Sequence, residues 1–362
     1  MRMEKQTNSN FRVGKKKHPL ASTGVFLLAI GLIWFVSFKL IARGPSAGSV
    51  FFGFDGSSDA GSAAVFAADD DYPVLVMFDN HPDAISYLSG ISSALVVYEV
   101  LAEGGSTRFA GLFAGAPENT PKIGPVRSAR PYIVSIAAGW SAFFWHAGGS
   151  PEALELIPET NVVDLNEISG LGIRYFWRDT GVPRPHNLFT SGDLIALGIV
   201  DFELLGRLPG EKLVWQWSDD PSEPGRDERV AATRTYIDFS ESTEFDSSYE
   251  YDPGFRRYNR FMNGLAHRDS ATGSQIAAAN VIIQRVPGEG YYPSGYGRIS
   301  IDMEGEGDML LFQRGYVIKG TWRKESADSQ TEWLDAEGKS IVLATGQTWV
   351  EVVPGGREVT YE

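Results

Sequence analysis

A run of 19 residues without a charged side chain, residues 20–38, constrains this chain more than any other feature. Three lysines at positions 15–17 precede the run, and Lys39 and Arg43 follow it. As an α-helix the run would span ~28 Å, about the hydrocarbon thickness of a bilayer. Because lysine-rich flanks stay in the cytoplasm, the pattern predicts a single-pass membrane anchor with a cytoplasmic N-terminus and an extracytoplasmic body. A cleaved signal peptide is the alternative, although its apolar core is usually shorter.

The distribution of charge also separates the two ends of the chain. The first 50 residues hold eight Lys or Arg and one acid, Glu4, whereas the other 312 residues hold 24 basic and 45 acidic residues. A body this acidic repels a phosphate backbone, so we expect no nucleic-acid partner. The chain has no Cys, which excludes disulfides, thiolate metal sites and a lipid attached to Cys in these 362 residues.

Composition and patterning predict five segments along the chain. Residues 1–19 form a basic cytoplasmic segment, 20–41 a transmembrane helix, and 42–71 a flexible linker rich in Gly, Ser, Ala and Asp. Residues 72–215 mix strand and helix patterns. Residues 216–362 alternate apolar and polar side chains, which is typical of antiparallel strands. The predicted fold class is therefore α+β, with a mixed α/β N-terminal domain followed by a mostly antiparallel β domain.

Local signals predict the elements of the first domain. Residues 73–80 are a buried strand, residues 83–92 a short helix, and residues 94–101 and 107–114 a hairpin turned by residues 103–106. Helices are predicted over residues 128–138, 150–157 and 190–197. Ser150 precedes Pro151 and Glu152, a pattern that predicts a helix N-cap and not a nucleophile.

Long strings of residues in both halves of the chain resemble one family. They are YEVLAEGGSTRF (98–109), IGPVRSARPY (123–132), HAGGSP (146–151), FWRD (176–179), PHNL (185–188), HRD (267–269), ANVI (279–282) and GQTWV (346–350). Over residues 73–354 the chain resembles the YerB-like proteins, also known as the DUF3048 family. The resemblance implies a bacterial membrane lipoprotein with a mixed N-terminal domain and a β-rich C-terminal domain, and it implies no biochemical role. The lack of a lipobox Cys departs from the family pattern, and we expect the helix at 20–38 to replace the lipid.

Arginines concentrate positive charge within the acidic body. Arg127 and Arg130 are three residues apart at a predicted helix start, where free N–H groups and guanidinium forks suit a phosphate or carboxylate. Alternatively, the arginines pair with Glu99, Glu103 and Asp179 and only hold the fold together. The candidate anion site comprises Arg108, Arg127, Arg130, Arg178, Glu99, Glu103, His146, His186 and Asn187.

The histidines do not follow a known metal or catalytic motif. His81, His146 and His186 are spread along the chain without an HExxH helix or a close pair. Asp79, Asp179 or Glu103 would be needed to complete a mixed site. We therefore predict no metal, no cofactor and no catalytic residue, and we expect each His to bond its local backbone.

These observations predict a membrane-anchored extracytoplasmic protein of the cell envelope with a binding or scaffold role. Its expected partners are the membrane through residues 20–41 and a wall polymer or envelope proteins. The alternative is an envelope enzyme or receptor that uses an arginine clamp on a phosphate-bearing lipid or wall polymer. The sequence leaves enzymatic activity open.

Overall fold

The fold is known from a computed structural model, which describes residues 72–207, 215–224, 230–293 and 297–362. The predicted basic segment, membrane helix (20–41) and linker (42–71) lie outside the described residues. No helix within the described ranges is long and apolar enough to cross a bilayer.

The described chain contains three α-helices: α1 (Pro131–Gly139), α2 (Pro151–Leu156) and α3 (Gly192–Asp201). Short 3-10 helices cover Ile85–Tyr87, Ile91–Ser93, Glu103–Gly105, Ile157–Glu159, Glu167–Ser169, Gly172–Arg174 and Thr243–Phe245. The strands up to Phe189 are β1 (Pro73–Asp79), β2 (Val96–Leu101), β3 (Thr107–Ala114), β4 (Phe143–His146), β5 (Val163–Asn166), β6 (Trp177–Arg178) and β7 (Leu188–Phe189).

The remaining strands come from the second half of the chain. They are β8 (Gln216–Ser218), β9 (Val230–Ala231), β10 (Arg234–Ile237), β11 (Ser247–Asp252), β12 (Arg257–Met262), β13 (Leu265–Ala266), β14 (Ala277–Ala278), β15 (Asn280–Val286), β16 (Gly290–Tyr291), β17 (Ile299–Ser300), β18 (Gly305–Gln313), β19 (Tyr316–Lys324), β20 (Glu332–Asp335), β21 (Val342–Ala344), β22 (Thr348–Pro354) and β23 (Val359–Tyr361).

Within the described residues, eleven strands form one large sheet in the order β20-β19-β18-β15-β22-β2-β3-β1-β4-β5, with β9 paired to β19. Strands β1, β4 and β5 are parallel neighbours, and so are β15, β22 and β2. A six-stranded antiparallel sheet follows the order β13-β12-β11-β10-β23, with β14 paired to β12. The large sheet thus takes strands from both sides of residue 215. The coarse expectation of a mixed α+β chain with few helices is confirmed.

The large sheet is covered on both faces around β1, which explains why this strand is apolar from Pro73 to Phe78 and charged only at its last residue, Asp79. Leu75 and Met77 pack in one core with α1, whereas Val74, Val76 and Phe78 pack in a second core shared with the six-stranded sheet and α3. Alternate residues of a strand point to opposite faces, so a strand covered on both sides needs apolar residues at every position. Each fully buried side chain of this size contributes about 1.5–3 kcal/mol.

A buried ionic network joins the two sheets. Arg260 on β12 is 0% exposed, and its guanidinium contacts Glu99 on β2 and Glu351 on β22, the latter at 3.0 Å. The same guanidinium donates to Tyr249 Oη at 2.6 Å and, through Nε, to His267 Nδ1 at 3.0 Å. Since β2 and β22 belong to the large sheet and β12 to the smaller one, these contacts link the two sheets through buried charges.

Most local predictions in the first domain are confirmed. The hairpin of β2 and β3 turns at Glu103–Gly105, and the Ser150 hydroxyl accepts from the Ala153 N–H at the start of α2. The helix predicted over 83–92 is wrong, because this stretch forms two short 3-10 turns. The helix predicted from 128 begins at Pro131, because the three preceding residues run in extended conformation beside β1 and β4.

Candidate functional site

The carboxyl ends of β1, β2, β4 and β5 lie at one edge of the large sheet. Strands β1, β4 and β5 are parallel, and β2 runs in the same direction across the antiparallel β3. Residues 123–130 cross this edge, where the Asp79 N–H donates to Pro125 O at 2.9 Å. Helix α1 begins directly afterwards. Ligands of open α/β sheets bind outside the carboxyl ends of parallel strands, so a site is expected at this edge.

Asp79, the last residue of β1, contacts side chains from two distant loops. Its Oδ2 lies 2.7 Å from Arg127 Nε and 2.6 Å from His186 Nδ1. Its Oδ1 accepts the backbone N–H of His81 at 3.1 Å. Asp79 is only 3% exposed, so the carboxylate is buried and its charge is matched by Arg127.

Arg130, the residue before α1, forms a two-pronged ion pair with Glu103. Its Nε and Nη2 donate to the two carboxylate oxygens at 2.6 and 2.8 Å. Burial alone would raise the pKa of Glu103, but the hydrogen bonds and charge of Arg130 lower it below the ordinary value. Part of the sequence-based alternative is therefore correct: Arg130 pairs with Glu103 within the fold.

Arg108 is the member of this group without a carboxylate. It forms no hydrogen bond or ion pair with any residue that the structure describes, and its Nε is buried without a partner. Burial, together with the nearby charges of Arg130 and Arg127, lowers the pKa of Arg108 to about 10. Asp79, Glu103, Arg108, Arg127 and Arg130, referred to below as the arginine cluster, carry three positive and two negative formal charges.

Tyr132, in the first turn of α1, adds an unused donor. Its side chain is 2% exposed, and its hydroxyl has no hydrogen-bond partner among the described residues. Burial and the charge of Glu103 raise the pKa of Tyr132, while Arg130 and Arg108 act in the opposite direction. The hydroxyl is thus neutral and within electrostatic range of the arginine cluster. Sequence reasoning missed it, because a Tyr in an apolar helix looks like a core residue.

Glu99 does not join the arginine cluster. On β2, Val100 shares its face of the sheet with Arg108, and Glu99 points to the opposite face, toward Arg260. The reason is the two-residue period of a strand, which sends neighbouring side chains to opposite sides. Glu99 is completely buried there.

His146 also lies apart from the arginine cluster. It is 0% exposed, and its two ring nitrogens lie 2.7 Å from Gly148 O and 2.7 Å from Asp164 Oδ1. Both nitrogens are therefore occupied by groups of β5 and the loop after β4. The contact with Gly148 fits the expectation that His146 bonds its local backbone, whereas the contact with Asp164 is to a side chain of β5. The same expectation is wrong for His186, which contacts the Asp79 side chain from 107 positions away.

Arg178 and Asn187 form a separate contact. Arg178 donates to Asn187 Oδ1 and to Glu167, each at 3.2 Å, and its side chain is 40% exposed. Asp179 pairs with Lys122 at 2.6 Å. Of the nine predicted site residues, the structure brings together Arg108, Arg127, Arg130, Glu103 and His186, with Asp79 linking Arg127 and His186.

Comparison with known proteins identifies the family. The profile described as "Protein of unknown function (DUF3048) N-terminal domain" matches residues 60–202, and the DUF3048 C-terminal domain profile matches residues 235–350. The chain is 33% identical over 284 residues to a protein of Bacillus subtilis (strain 168) named "Putative lipoprotein YerB", covering 78% of this chain and 81% of that protein. The chain belongs to the DUF3048 family.

A solved structure supports the same assignment for this DUF3048 chain. The fold is similar to the crystal structure of the YerB protein from Bacillus subtilis, with a TM-score of 0.68 and 29% identity, over 80% of this chain and 94% of that one. The family resemblance read from the sequence is therefore confirmed. All residues of the arginine cluster, and Tyr132 and His186, lie inside the N-terminal match at 60–202.

One further group of side chains at the same edge can hold a metal ion. His81, Asp83 and His186 each offer a ligand atom, and these atoms lie within 4.8 Å of one another. Sequence reasoning weighed His81, His146 and His186 as a mixed site with Asp79, Asp179 or Glu103 and predicted no metal, whereas the structure groups His81 and His186 with Asp83. The sequence feature that could have indicated this group is the pair His81 and Asp83 in the polar turn directly after the buried strand β1.

Proposed function

We propose that this chain is a membrane-anchored extracytoplasmic binding protein of the cell envelope, and that its arginine cluster binds a phosphate group on an envelope lipid or wall polymer. The observation that carries the proposal is Arg108. Its guanidinium is partly buried and unpaired beside two other arginines, an arrangement that costs free energy until an anion arrives.

The surroundings of Arg108 suit a phosphate. Asp79 and Glu103 already neutralise Arg127 and Arg130, so the arginine cluster has one positive charge in excess and does not need several anions. A guanidinium binds phosphate oxygens with two parallel hydrogen bonds, and the Tyr132 hydroxyl can supply a further donor.

The membrane tether rests on the chain's own N-terminal segment and on the relative. The similar Bacillus protein is named as a lipoprotein. This chain has no Cys, and the predicted helix at 20–41, with its uncharged run at 20–38, would take the place of a lipid. Partners would then be reached from the outer face of the membrane: wall polymer, envelope proteins or the lipid surface itself.

The test uses the full chain, purified in detergent, and inorganic phosphate as the probe. Phosphate at a hundred times its dissociation constant should raise the free energy of unfolding by about 2.7 kcal/mol. Arg108→Gln should abolish this stabilisation. Arg108→Lys should keep part of it, because the ammonium group retains the positive charge but cannot form the two parallel hydrogen bonds of a guanidinium. Arg256→Gln, an exposed site with the same charge change, is the control.

Two results would contradict the proposal. One is the absence of stabilisation by phosphate in the wild-type chain. The other is equal stabilisation of the wild-type chain and Arg108→Gln. Repeating the titration with vesicles that contain a phosphate-bearing lipid and with soluble phosphate polymer separates the two sources of the group.

A further inference from the structure

The turn after β1 and the loop before β7 bring two imidazoles and a carboxylate together. One ligand atom each from His81, Asp83 and His186 lies within 4.8 Å of the others. In a zinc site with bonds of roughly 2.0–2.2 Å, tetrahedral ligand atoms lie roughly 3.3 Å apart. Ligation therefore requires the exposed His81 and Asp83 side chains to turn toward the buried His186, because one ion must lie in the plane of both imidazole rings. We propose that these three residues bind a divalent transition-metal ion.

His186 is oriented in the way that metal-ligating histidines usually are. It is 7% exposed, and its Nδ1 lies 2.6 Å from Asp79 Oδ2. Its Nε2 forms no hydrogen bond with a residue of the described ranges. A carboxylate on one ring nitrogen fixes the ring and increases the basicity of the other nitrogen, which is the arrangement found around most zinc-bound histidines.

His81 and Asp83 provide the mobile half of the site. The His81 ring stacks on His186, with 5.1 Å between ring centroids and an interplanar angle of 26°. Asp83 Oδ2 lies 3.6 Å from His81 Nδ1, and the Asp83 N–H donates to that nitrogen at 3.2 Å. These two side chains are 48% and 78% exposed, so an ion can reach them and they can adjust to it.

The ligand types select the class of metal. Imidazole suits zinc, copper, iron and nickel, whereas calcium and magnesium prefer oxygen ligands alone. Two imidazoles and one carboxylate fill three coordination positions of the ion and leave at least one for water or an oxygen atom of a ligand, as in catalytic zinc sites. Zn²⁺ is therefore the probe of choice, and Co²⁺ reports on the geometry by its visible absorption.

This inference is independent of phosphate binding. None of the three ligands is an arginine, and Asp79 is the residue that touches both groups through Arg127 and His186. A chain that binds Zn²⁺ without binding phosphate would support the metal site and contradict only the proposed function. Arg108→Gln should bind Zn²⁺ like the wild-type chain.

The experiment starts from the full chain in detergent, stripped of metal with a chelator and placed in phosphate-free buffer. Calorimetric titration with ZnCl₂ should show one ion per chain. His81→Ala and Asp83→Asn should each weaken binding by about 10–100-fold or more. Asp220→Asn removes an equally exposed carboxylate elsewhere and should leave binding unchanged.

The absence of Zn²⁺ uptake by the wild-type chain would overturn the site, and so would wild-type affinity in both His81→Ala and Asp83→Asn. Thermal unfolding of the metal-free variants checks that they fold. If His81→Ala is unstable, Asp83→Asn decides the question alone, because that side chain is largely exposed.

Discussion

Replacing Arg260 by Met tests whether charge holds the two sheets together. The substitution keeps a long apolar stem and removes the guanidinium. It deletes the contacts to Glu99 and Glu351 on the large sheet and to His267, which directly follows β13. The guanidinium carbon of Arg260 also lies 4.3 Å from the centre of the Trp349 ring, and Met loses this cation–π contact as well.

The expected cost follows from what remains. Burial alone would lower the pKa of Arg260, but Glu99, Tyr249 and Glu351 raise it above the ordinary value, so the arginine is charged. Without it, Glu99 keeps only the donors Asn80 at 3.2 Å, Thr107 at 2.5 Å and Ser247 at 3.2 Å. Removing one partner of a buried ion pair costs about 3–5 kcal/mol.

Urea unfolding of the full chain in detergent, followed by tryptophan fluorescence, measures this cost. Arg234→Met removes an arginine that is 62% exposed and paired on the surface, and should cost at most about 1 kcal/mol. Glu99→Gln combined with Arg260→Met should recover part of the loss, because the uncompensated charge is gone. A loss below about 1 kcal/mol for Arg260→Met alone would refute the reasoning.

Three further predictions concern stability. Burial and the charge of Glu99 hold the pKa of Glu351 well above its ordinary value of 4.5, so the folded state favours the neutral carboxyl. This contribution to stability is complete below about pH 4.5 and is lost as pH rises, so the stability of Glu351→Gln relative to wild type should increase between about pH 5 and 8. Parallel urea-unfolding curves for the two proteins would contradict this. Arg108→Gln should not lower the melting temperature in the absence of ligand. The lowered pKa means that folding disfavours the charged guanidinium of Arg108 at every pH below about 10. A clear drop in melting temperature would show that Arg108 has a structural partner. Gly320→Ala should lower the free energy of unfolding in urea by about 1–3 kcal/mol, because the new Cβ would lie 1.9 Å from Leu334 O. Gly288→Ala is the control and should leave stability unchanged, because no atom lies within 4 Å of its new Cβ. Equal effects of the two substitutions would contradict the packing argument.

Local structure was largely predictable from neighbouring residues. The run at 73–78 is apolar at every position, and the structure covers β1 on both faces. The hairpin turn at Glu103–Gly105 needs positive φ at both glycines, and Ser150 caps α2 as its sequence context indicates. The stretch 83–92 is not one helix, because Gly90 interrupts it in a left-handed conformation. A Cβ at this position would lie 2.6 Å from Lys122 O, a proximity that no local pattern reveals.

Half of the candidate anion site could be predicted. Arg127 and Arg130 attract attention as two arginines before an apolar helix, and Glu103 lies in a conspicuous turn. The error at Glu99 came from counting charges without following the face of the strand on which each one lies. The sequence does contain one indication of the buried Arg260 network. In the alternating pattern of β12, Arg260 occupies an inward position between Tyr258 and Met262, where an apolar residue would be expected.

The sequence by itself determined the strands, the caps, the charge asymmetry and the family, because these depend on residues close together along the chain. Only the tertiary structure decided that Asp79 meets His186 across 107 positions and that Arg260 meets Glu99 across 161. Such meetings depend on strand register and on the direction in which each strand enters the sheet. A shift of one residue would send every side chain of a strand to the opposite face, and with it the arginine cluster or the buried network.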